Sequence, residues 1–283
     1  MVTDTDLARL RYEAAEMRWW IVKMMGPGKA HHFGGSLSAA DIIAALYFYK
    51  MRYDPRNPQW PARDRFIMSK GHSVPAQYAA LAMLGVFPME ELPTLKCLGS
   101  RLQGHPAMHV TPGLEGCTGA LGEGLSYANG MALAGQVRGL AYRVYCLLGD
   151  GELHEGQVWE AAMTTAKHCL SNVVAIIDRN RLKAMDETDC GKTLDPLTER
   201  WASFGWATQE IDGHDMAAVC AALDWADTQA LPSLIVANTV KGKGVSFLEG
   251  QAPYHNAALN AEQFQKAMAE LDAAVAAARV EEA

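Results

Sequence analysis

The chain has 283 residues, of which 49% are hydrophobic and 20% charged, so it can bury a sizeable core within one large α/β domain. Its net charge of −7 comes without a basic run, which argues against nucleic acid or an anionic membrane as a partner. No apolar stretch reaches transmembrane length, and the acidic N-terminus does not resemble a signal peptide. The six cysteines form no C-x-x-C pair, and we expect them to be apolar core residues in a reducing cytoplasm: Cys97, Cys117, Cys146, Cys169, Cys190 and Cys220.

Helical and strand patterns alternate along the chain. An amphipathic helix is predicted from Thr3 to Met25, and a second one starts at Ser38, which forms a capping-box pattern with Asp41, and runs to Tyr49. Further helices are predicted at residues 75–84, 124–138, 158–169, 196–204, 216–228 and 261–280. Strands are predicted at residues 65–68, 142–148, 173–177, 207–211 and 233–238. This alternation predicts an α/β fold with a mostly parallel central sheet and helices on both faces.

The segment from Tyr142 to Asn180 predicts a site. Its strand, helix and strand should form a right-handed βαβ unit, which places both strands side by side in one parallel sheet. Asp150 and Asn180 each follow the carboxyl end of a strand, where open α/β sheets bind ligands. A carboxylate and an amide oxygen suit Mg²⁺, which usually completes its shell with phosphate and water.

Neither half of this pattern is specific alone. Gly149-Asp150-Gly151 is typical of a tight turn, and Asp178-Arg179-Asn180 is typical of a loop. Together, at this spacing, they resemble the thiamine diphosphate motif. The resemblance implies that Asp150, Asn180 and the backbone carbonyl of Leu182 hold Mg²⁺, which in turn holds the diphosphate. The glycine-rich loop at residues 118–124 runs into a helix N-terminus, which also suits a phosphate.

Histidines provide a second signal. Four of the nine lie in glycine-rich or strand-end loops, namely His32, His72, His105 and His255. One such histidine is usually only solvated, but four at comparable positions suggest one crevice that exchanges protons near neutral pH. The others are expected to be structural or on the surface: His31, His109, His154, His168 and His214. A zinc site is a poor alternative: only His105 and His109 have H-x-x-x-H spacing, and no Cys/His pair has ligand spacing.

Over nearly all of residues 10–256 the chain resembles the N-terminal, diphosphate-binding half of a transketolase. The family-like segments are residues 34–38, 64–66, 69–72, 102–106, 118–124, 149–152, 155–161, 212–215 and 239–244. The resemblance implies that the four loop histidines line the substrate channel and handle protons on sugar hydroxyls. It also implies five cofactor-binding residues: Gly119, Leu121, Gly151, Glu155 and Asn180. Glu155 and Glu160 match acidic residues near a subunit interface, although an exposed helix start explains them equally well.

The chain departs from the family motifs at two places. The family usually has G-H-P-G-G where this chain has His31-His32-Phe33-Gly34-Gly35, and often has W-H-G where this chain has Tyr254-His255-Asn256. Both departures flank a predicted channel histidine. We therefore expect Phe33 and Asn256 to border the path of the substrate and to change which sugar enters.

The expected organisation is a single diphosphate-binding domain over residues 1–283 with N- and C-terminal helical extensions. The pyrimidine-binding and C-terminal transketolase domains are expected to be absent. The resemblance then implies one subunit of a cytoplasmic two-chain transketolase, an α2β2 heterotetramer with a separately encoded C-terminal subunit. Such an enzyme would transfer a two-carbon ketol unit between sugars or sugar phosphates.

Two alternatives remain open at this point. One is a subunit of another thiamine diphosphate enzyme, either a deoxyxylulose-phosphate synthase or the α subunit of a 2-oxo acid dehydrogenase. The other is a non-catalytic binding subunit that has kept the fold. The four histidines and the segment at residues 151–156 favour transketolase over the first alternative, and Asp150 with Asn180 argues against the second.

Overall fold

The computed structural model of the protein describes residues 2–184, 186–189 and 193–282. One sheet contains the strands β1 (Arg65–Met68), β2 (Val144–Gly149), β3 (Val173–Arg179), β4 (Ala207–Asp212) and β5 (Ser233–Asn238). Their order is β1-β2-β3-β5-β4, and every neighbouring pair is parallel. The predicted parallel sheet is confirmed, and β2 lies beside β3 as the βαβ pattern requires.

Helices cover both faces of this sheet. They are α1 (Asp4–Met25), α2 (Phe33–Ser38), α3 (Ala40–Ala45), α4 (Val74–Met83), α5 (Gly124–Arg138), α6 (Gly156–Lys167), α7 (Leu197–Ser203), α8 (Met216–Asp227) and α9 (Ala261–Glu282). Strand residues alternate between the two faces, so Tyr145 packs into the core beneath α1, α3, α4 and α8, whereas Cys146 packs into the core beneath α5, α6 and α7. Both cores are apolar, which explains why β2 and residues 173–177 of β3 are continuous hydrophobic runs.

Most predicted elements lie within about two residues of their predicted ends, as is usual for helix and strand boundaries. The N-terminal helix begins with a capping box, in which Thr3 and Asp6 each accept a backbone N–H of the other residue. Among the described residues, no helix combines the length and apolar character needed to span a bilayer.

The predicted capping box at Ser38 and Asp41 is wrong. A helix already begins at Phe33, and Ser38 is its last residue. The Ser38 hydroxyl donates to Asp178 Oδ2 at 2.6 Å, and the Asp41 carboxylate pairs with Arg18 and His214. Both polar side chains therefore serve contacts between distant parts of the chain. After α3, a π-helical turn from Leu46 to Lys50 continues the helix close to its predicted end.

The cysteines are only partly in the core, so the expectation of six core cysteines is wrong in part. Cys146 in β2 and Cys220 in α8 are buried, but Cys117 and Cys169 are exposed because they lie in loops, and Cys97 is half-buried. All of these are free thiols. Cys190 lies outside the described residues.

Candidate active site

A cavity of about 400 Å³ opens at the carboxyl end of the sheet. It is lined by loops that follow β1, β2, β3 and β5, the position at which open α/β sheets bind ligands. The structure brings nearly all of the predicted site residues to this cavity, namely His32, His72, His105, Gly119, Leu121, Asp150, Gly151, Asn180, Leu182 and His255.

Glu155 lies outside this cavity. It is exposed and precedes α6 without a side-chain hydrogen bond to the helix end, and Glu160 is exposed on the same helix. Their positions fit both an exposed helix start and a surface available to another subunit. Glu155 nevertheless lies beside the glycine-rich loop, because a Cβ on Gly122 would lie 2.9 Å from the Glu155 Cβ.

The four loop histidines form one cluster. The ring centroid of His32 lies 4.9 Å from that of His72, 5.3 Å from that of His255 and 6.3 Å from that of His105. The rings of His72 and His255 are 5.0 Å apart. Four loops that are remote in sequence therefore present imidazoles to the same wall of the cavity.

These imidazoles are neutral at physiological pH. Burial, reinforced by neighbouring cationic groups, lowers the pKa of both His32 and His255 to about 4. Burial also lowers the pKa of His72 and of His105. A neutral imidazole carries one N–H donor and one acceptor nitrogen, so the cluster can bind hydroxyl groups and exchange protons with them.

Asp150 follows β2 and is nearly fully buried. Its Oδ1 accepts the backbone N–H of Gly151 at 2.7 Å, and its Oδ2 accepts the backbone N–H of Arg181 at 2.5 Å and the hydroxyl of Thr188 at 3.0 Å. Burial and the nearby Asp178 carboxylate raise the pKa of Asp150 to about 6. A buried carboxylate of raised pKa is stabilised by a cation beside it.

Asn180 and Leu182 follow β3 in the same loop. The Asn180 side-chain oxygen accepts the backbone N–H of Leu182 at 3.2 Å, which holds the two residues together. The Leu182 carbonyl accepts a hydrogen bond from Lys241 Nζ at 2.8 Å, so a positive charge already faces this oxygen. Within the described part of the chain, no group of three His, Cys, Asp or Glu side chains is placed to hold a metal. A metal here would depend on mixed carboxylate, amide and carbonyl oxygens.

Two buried lysines of the cavity are absent from the residues that the sequence predicts for the site. Lys241 Nζ donates to the carbonyls of Leu182 and Lys183 and lies 3.1 Å from His255 Nδ1, and burial lowers its pKa to about 8. Lys70 donates to the Gly35 carbonyl at 2.8 Å and pairs closely with Asp178. Both lysines lie in segments that resemble the family. Their position in loops that follow strands is the sequence signal that could have identified them as site residues.

Asp178 connects the loops that carry the site. It is fully buried and accepts hydrogen bonds from Lys70, from the Ser38 hydroxyl and from the Thr239 hydroxyl. Burial alone would raise the pKa of Asp178, but Lys70 and these hydrogen bonds hold it below its usual value. The loops that carry His32, His72 and Lys241 are thus held to the end of β3 by one carboxylate.

Glu152 has a similar role that sequence reasoning missed. Its carboxylate accepts the Ser69 hydroxyl at 2.5 Å and the backbone N–H groups of Gly122 at 2.9 Å and Gly149 at 3.0 Å. It is buried, and burial raises its pKa. Glu152 therefore fastens the glycine-rich loop at residues 118–124 to the end of β2.

The expectation that Phe33 borders the substrate path is wrong, whereas the expectation for Asn256 stays a prediction. Phe33 is fully buried in the hydrophobic core, because the first turn of α2 directs it away from the cavity. Asn256 is exposed and does not line the cavity. Neither Phe33 nor Asn256 is part of the cavity wall.

Comparison with known proteins identifies the class to which this fold and site belong. The family model described as "Transketolase, thiamine diphosphate binding domain" matches residues 12–277. The chain is 44% identical over 264 residues to a 6-deoxy-6-sulfo-D-fructose transketolase subunit of Clostridium sp. (strain MSTE9), covering 93% of this chain and 96% of the relative. It is 42% identical over 263 residues to one subunit of the apulose-4-phosphate transketolase of Phocaeicola vulgatus, covering 93% of each.

The solved structures agree with this class. The transketolase of Campylobacter jejuni superposes with a TM-score of 0.84 at 29% identity, covering 97% of this chain and 47% of the solved chain. The chain thus spans about half the length of that enzyme.

The chain belongs to the transketolase family, of which it carries the thiamine diphosphate binding domain. The predicted α/β fold, the cofactor thiamine diphosphate and the assignment to a transketolase-type transferase are confirmed.

Proposed function

We propose that the chain is the N-terminal, cofactor-binding subunit of a two-chain transketolase. With a separately encoded C-terminal subunit, it transfers a two-carbon ketol unit from a ketose or ketose phosphate to an aldose or aldose phosphate. The observation that carries this proposal is the histidine cluster beside the Asp150 and Asn180 loops in one cavity. Relatives named as transketolase subunits, matched over 96% and 93% of their length, support the two-chain arrangement.

We propose that Asp150, Asn180 and the Leu182 carbonyl hold Mg²⁺. The donor set fits, because Mg²⁺ prefers oxygen ligands and because Leu182 O already faces the positive charge of Lys241. The Leu182 carbonyl oxygen has a second lone pair that a metal ion would use. Lys241 Nζ lines the same cavity and would help to balance the charge of the phosphates.

We propose that the diphosphate lies against Gly119, Leu121 and Gly151. Gly119 has φ +151°, and a Cβ there would lie 2.9 Å from the His105 ring, so only glycine leaves both the backbone and this histidine in place. A Cβ on Gly151 would lie 3.1 Å from the Lys183 side chain. Bound thiamine diphosphate supplies the centre that stabilises a carbanion during cleavage and formation of the carbon–carbon bond.

The histidines orient the sugar and move its protons. Lys241 Nζ donates to His255 Nδ1, so the His255 proton is carried by Nε2, which is then a hydrogen-bond donor. His32, between His72, His105 and His255, is placed to accept a hydroxyl proton because its imidazole is neutral. Burial lowers the pKa of these histidines most, and the charges of Lys70 and Lys241 lower the pKa of His72 and His255 further.

We propose that one diphosphate-binding domain occupies this chain and that two copies assemble with two C-terminal subunits in the cytoplasm. The free thiols of the described cysteines fit a reducing compartment. We propose that Glu155 and Glu160, which are both exposed, lie on the surface that contacts a second subunit.

Reconstitution tests the proposal. The purified chain with thiamine diphosphate and Mg²⁺ should show no ketol transfer, and addition of the C-terminal subunit should restore turnover. Pyruvate decarboxylation, measured in parallel, should stay absent. Full activity of the isolated chain, or no activity of the pair, would refute the two-chain assignment.

A further inference from the structure

His214 joins two parts of the chain that lie beside the active site. It follows the end of β4 by two residues, and its ring lies between Asp41 and the backbone of Val240. Its Nδ1 is 2.6 Å from Asp41 Oδ2, and its Nε2 accepts the Val240 N–H at 2.8 Å. A backbone N–H can only donate a hydrogen bond, so the ring proton of His214 is carried by Nδ1 and is donated to Asp41. The ring therefore connects a carboxylate in α3 to the loop that follows β5.

The carboxylate end of this connection is fixed. Asp41 is 7% exposed, and both of its oxygens accept hydrogen bonds from the guanidinium of Arg18 in α1, which is 9% exposed. Such a bidentate pair fixes the orientation of the carboxylate. The Arg18 stem also lies against the loop after β5, because a Cβ on Gly244 would lie 3.0 Å from Arg18 Cδ. Arg18 and Asp41 thus give His214 a fixed point in the helical layer.

The other end of the connection lies next to the cavity lysine Lys241. Before this lysine, the Val240 N–H donates to His214. After it, the Gly242 N–H donates to the Gly34 carbonyl at 3.0 Å. The buried Lys241 side chain passes Gly34 so closely that a Cβ there would lie 2.7 Å from Lys241 Cγ. Because Gly34 leaves no room on this side, the side chain cannot compensate for a shift of its own backbone. The place of the ammonium therefore depends on the two anchored neighbours.

We propose that His214 is a positioning residue for Lys241. By holding the backbone before the lysine, His214 directs the ammonium to the Leu182 carbonyl, 2.8 Å away, and to His255 Nδ1, 3.1 Å away. An ammonium on a flexible stem loses less side-chain freedom on binding an anion when its position is already fixed. His214 thereby strengthens binding of the diphosphate without contacting it. This consequence rests on the proposed function, in which Lys241 helps to balance the charge of the phosphates.

Two substitutions separate the two contacts of His214. The amide nitrogen of asparagine can take the place of Nδ1, so His214→Asn keeps a donor for Asp41 and loses the acceptor for Val240. The amide oxygen of glutamine can reach the place of Nε2, so His214→Gln keeps the acceptor for Val240. A residue that only supported Asp41 would be replaced better by asparagine, whereas a residue that positions the loop would be replaced better by glutamine.

NMR of the full chain without cofactor follows the Nδ1 signal of ¹⁵N-labelled His255, which accepts the hydrogen bond from Lys241. His214→Asn should shift this signal towards its position in Lys241→Met, and His214→Gln should leave it close to wild type. The exposed His168→Asn is the matched control and should cause no shift. Equal shifts in both His214 variants, a shift in His214→Gln alone, or no shift would each overturn the proposal. If His214→Asn does not fold in urea titrations, His214→Ala, which also removes the acceptor, must show the same shift.

The consequence for the cofactor is tested by titrating thiamine diphosphate with Mg²⁺ into the full chain in a calorimeter. His214→Asn should weaken binding about tenfold, as is usual for a group that supports a ligand-binding residue. In a Lys241→Met background the same substitution should cause little further loss, because the group on which it acts is gone. Equal losses in both backgrounds would refute an action through Lys241. Absence of binding by wild type would refute the proposed function, whereas the NMR shifts would still decide whether His214 positions Lys241.

Discussion

Replacement of Asp178 by asparagine should destabilise the chain strongly, although the two side chains are nearly the same size. The carboxylate is fully buried and pairs with Lys70, whose side chain is 3% exposed. Asp178→Asn removes the negative charge and leaves the buried ammonium with the Gly35 carbonyl as its neutral partner. Removal of one partner of a buried ion pair typically costs about 3–5 kcal/mol. That is a large share of the ~5–15 kcal/mol by which a typical domain is stable.

Urea unfolding measures this cost, provided that the slope of the unfolding free energy against urea stays unchanged. Asp54→Asn is the matched control, because Asp54 forms an exposed pair with Arg56 and should lose at most about 1 kcal/mol. The double variant Lys70→Met with Asp178→Asn should recover part of the loss, because it removes the unpaired ammonium as well. Two results would refute the view that Asp178 holds the site loops together through this pair. One is an unfolding free energy of Asp178→Asn within about 1 kcal/mol of wild type, and the other is a double variant whose loss is the sum of the two single losses.

Three further outcomes follow from the structure. Glu152→Gln turns an amide NH₂ towards a buried N–H donor, so it should cost about 1–3 kcal/mol in urea unfolding; an unchanged midpoint would contradict this role. His32→Asn should lower kcat/KM of the reconstituted enzyme by about 10²–10⁴, whereas the exposed His168→Asn should leave it unchanged; equal rates would exclude proton transfer by His32. Burial would raise the pKa of Asp41, but Arg18 lowers it to about 2, below the ordinary value of ~3.9. The contribution of ionised Asp41 to the free energy of unfolding should therefore be complete above about pH 4 and lost as pH falls to 2. Acid titrations of unfolding free energy should show this loss in wild type and a flatter curve in Asp41→Asn; identical curves would contradict it.

The parts of the site that sequence can predict are those set by local pattern. Asp150 and Asn180 follow apolar strands of a βαβ unit, and the parallel register of β2 and β3 places both at the same edge of the sheet. The four histidines could be predicted as site residues because they lie in glycine-rich or strand-end loops. Local pattern fails at Ser38, whose capping signal is overridden by a hydrogen bond to a carboxylate in β3.

The contacts of buried charged residues could not be predicted from the sequence, because their partners are distant along the chain. Local pattern places Asp178 in a loop motif, yet its contacts to Ser38, Lys70 and Thr239 cross 140, 108 and 61 positions of the chain. The prediction for Phe33 is wrong for a related reason. Its neighbour His32 lines the cavity, but the turn of α2 directs the next side chain into the core.

We propose that the oxygen atoms of the Asp150 and Asn180 loops hold Mg²⁺ and, through it, thiamine diphosphate. Isothermal titration calorimetry with and without Mg²⁺ tests it on wild type, Asp150→Asn and Asp186→Asn. Asp186 is the matched control, an exposed carboxylate in the same loop that does not line the cavity. Loss of a group that only supports a metal ligand costs about 10–100-fold in affinity. Asp150→Asn should therefore weaken Mg²⁺-dependent cofactor binding at least about tenfold, with Asp186→Asn close to wild type. Equal binding by all three proteins would contradict the assignment of Asp150 as a metal ligand.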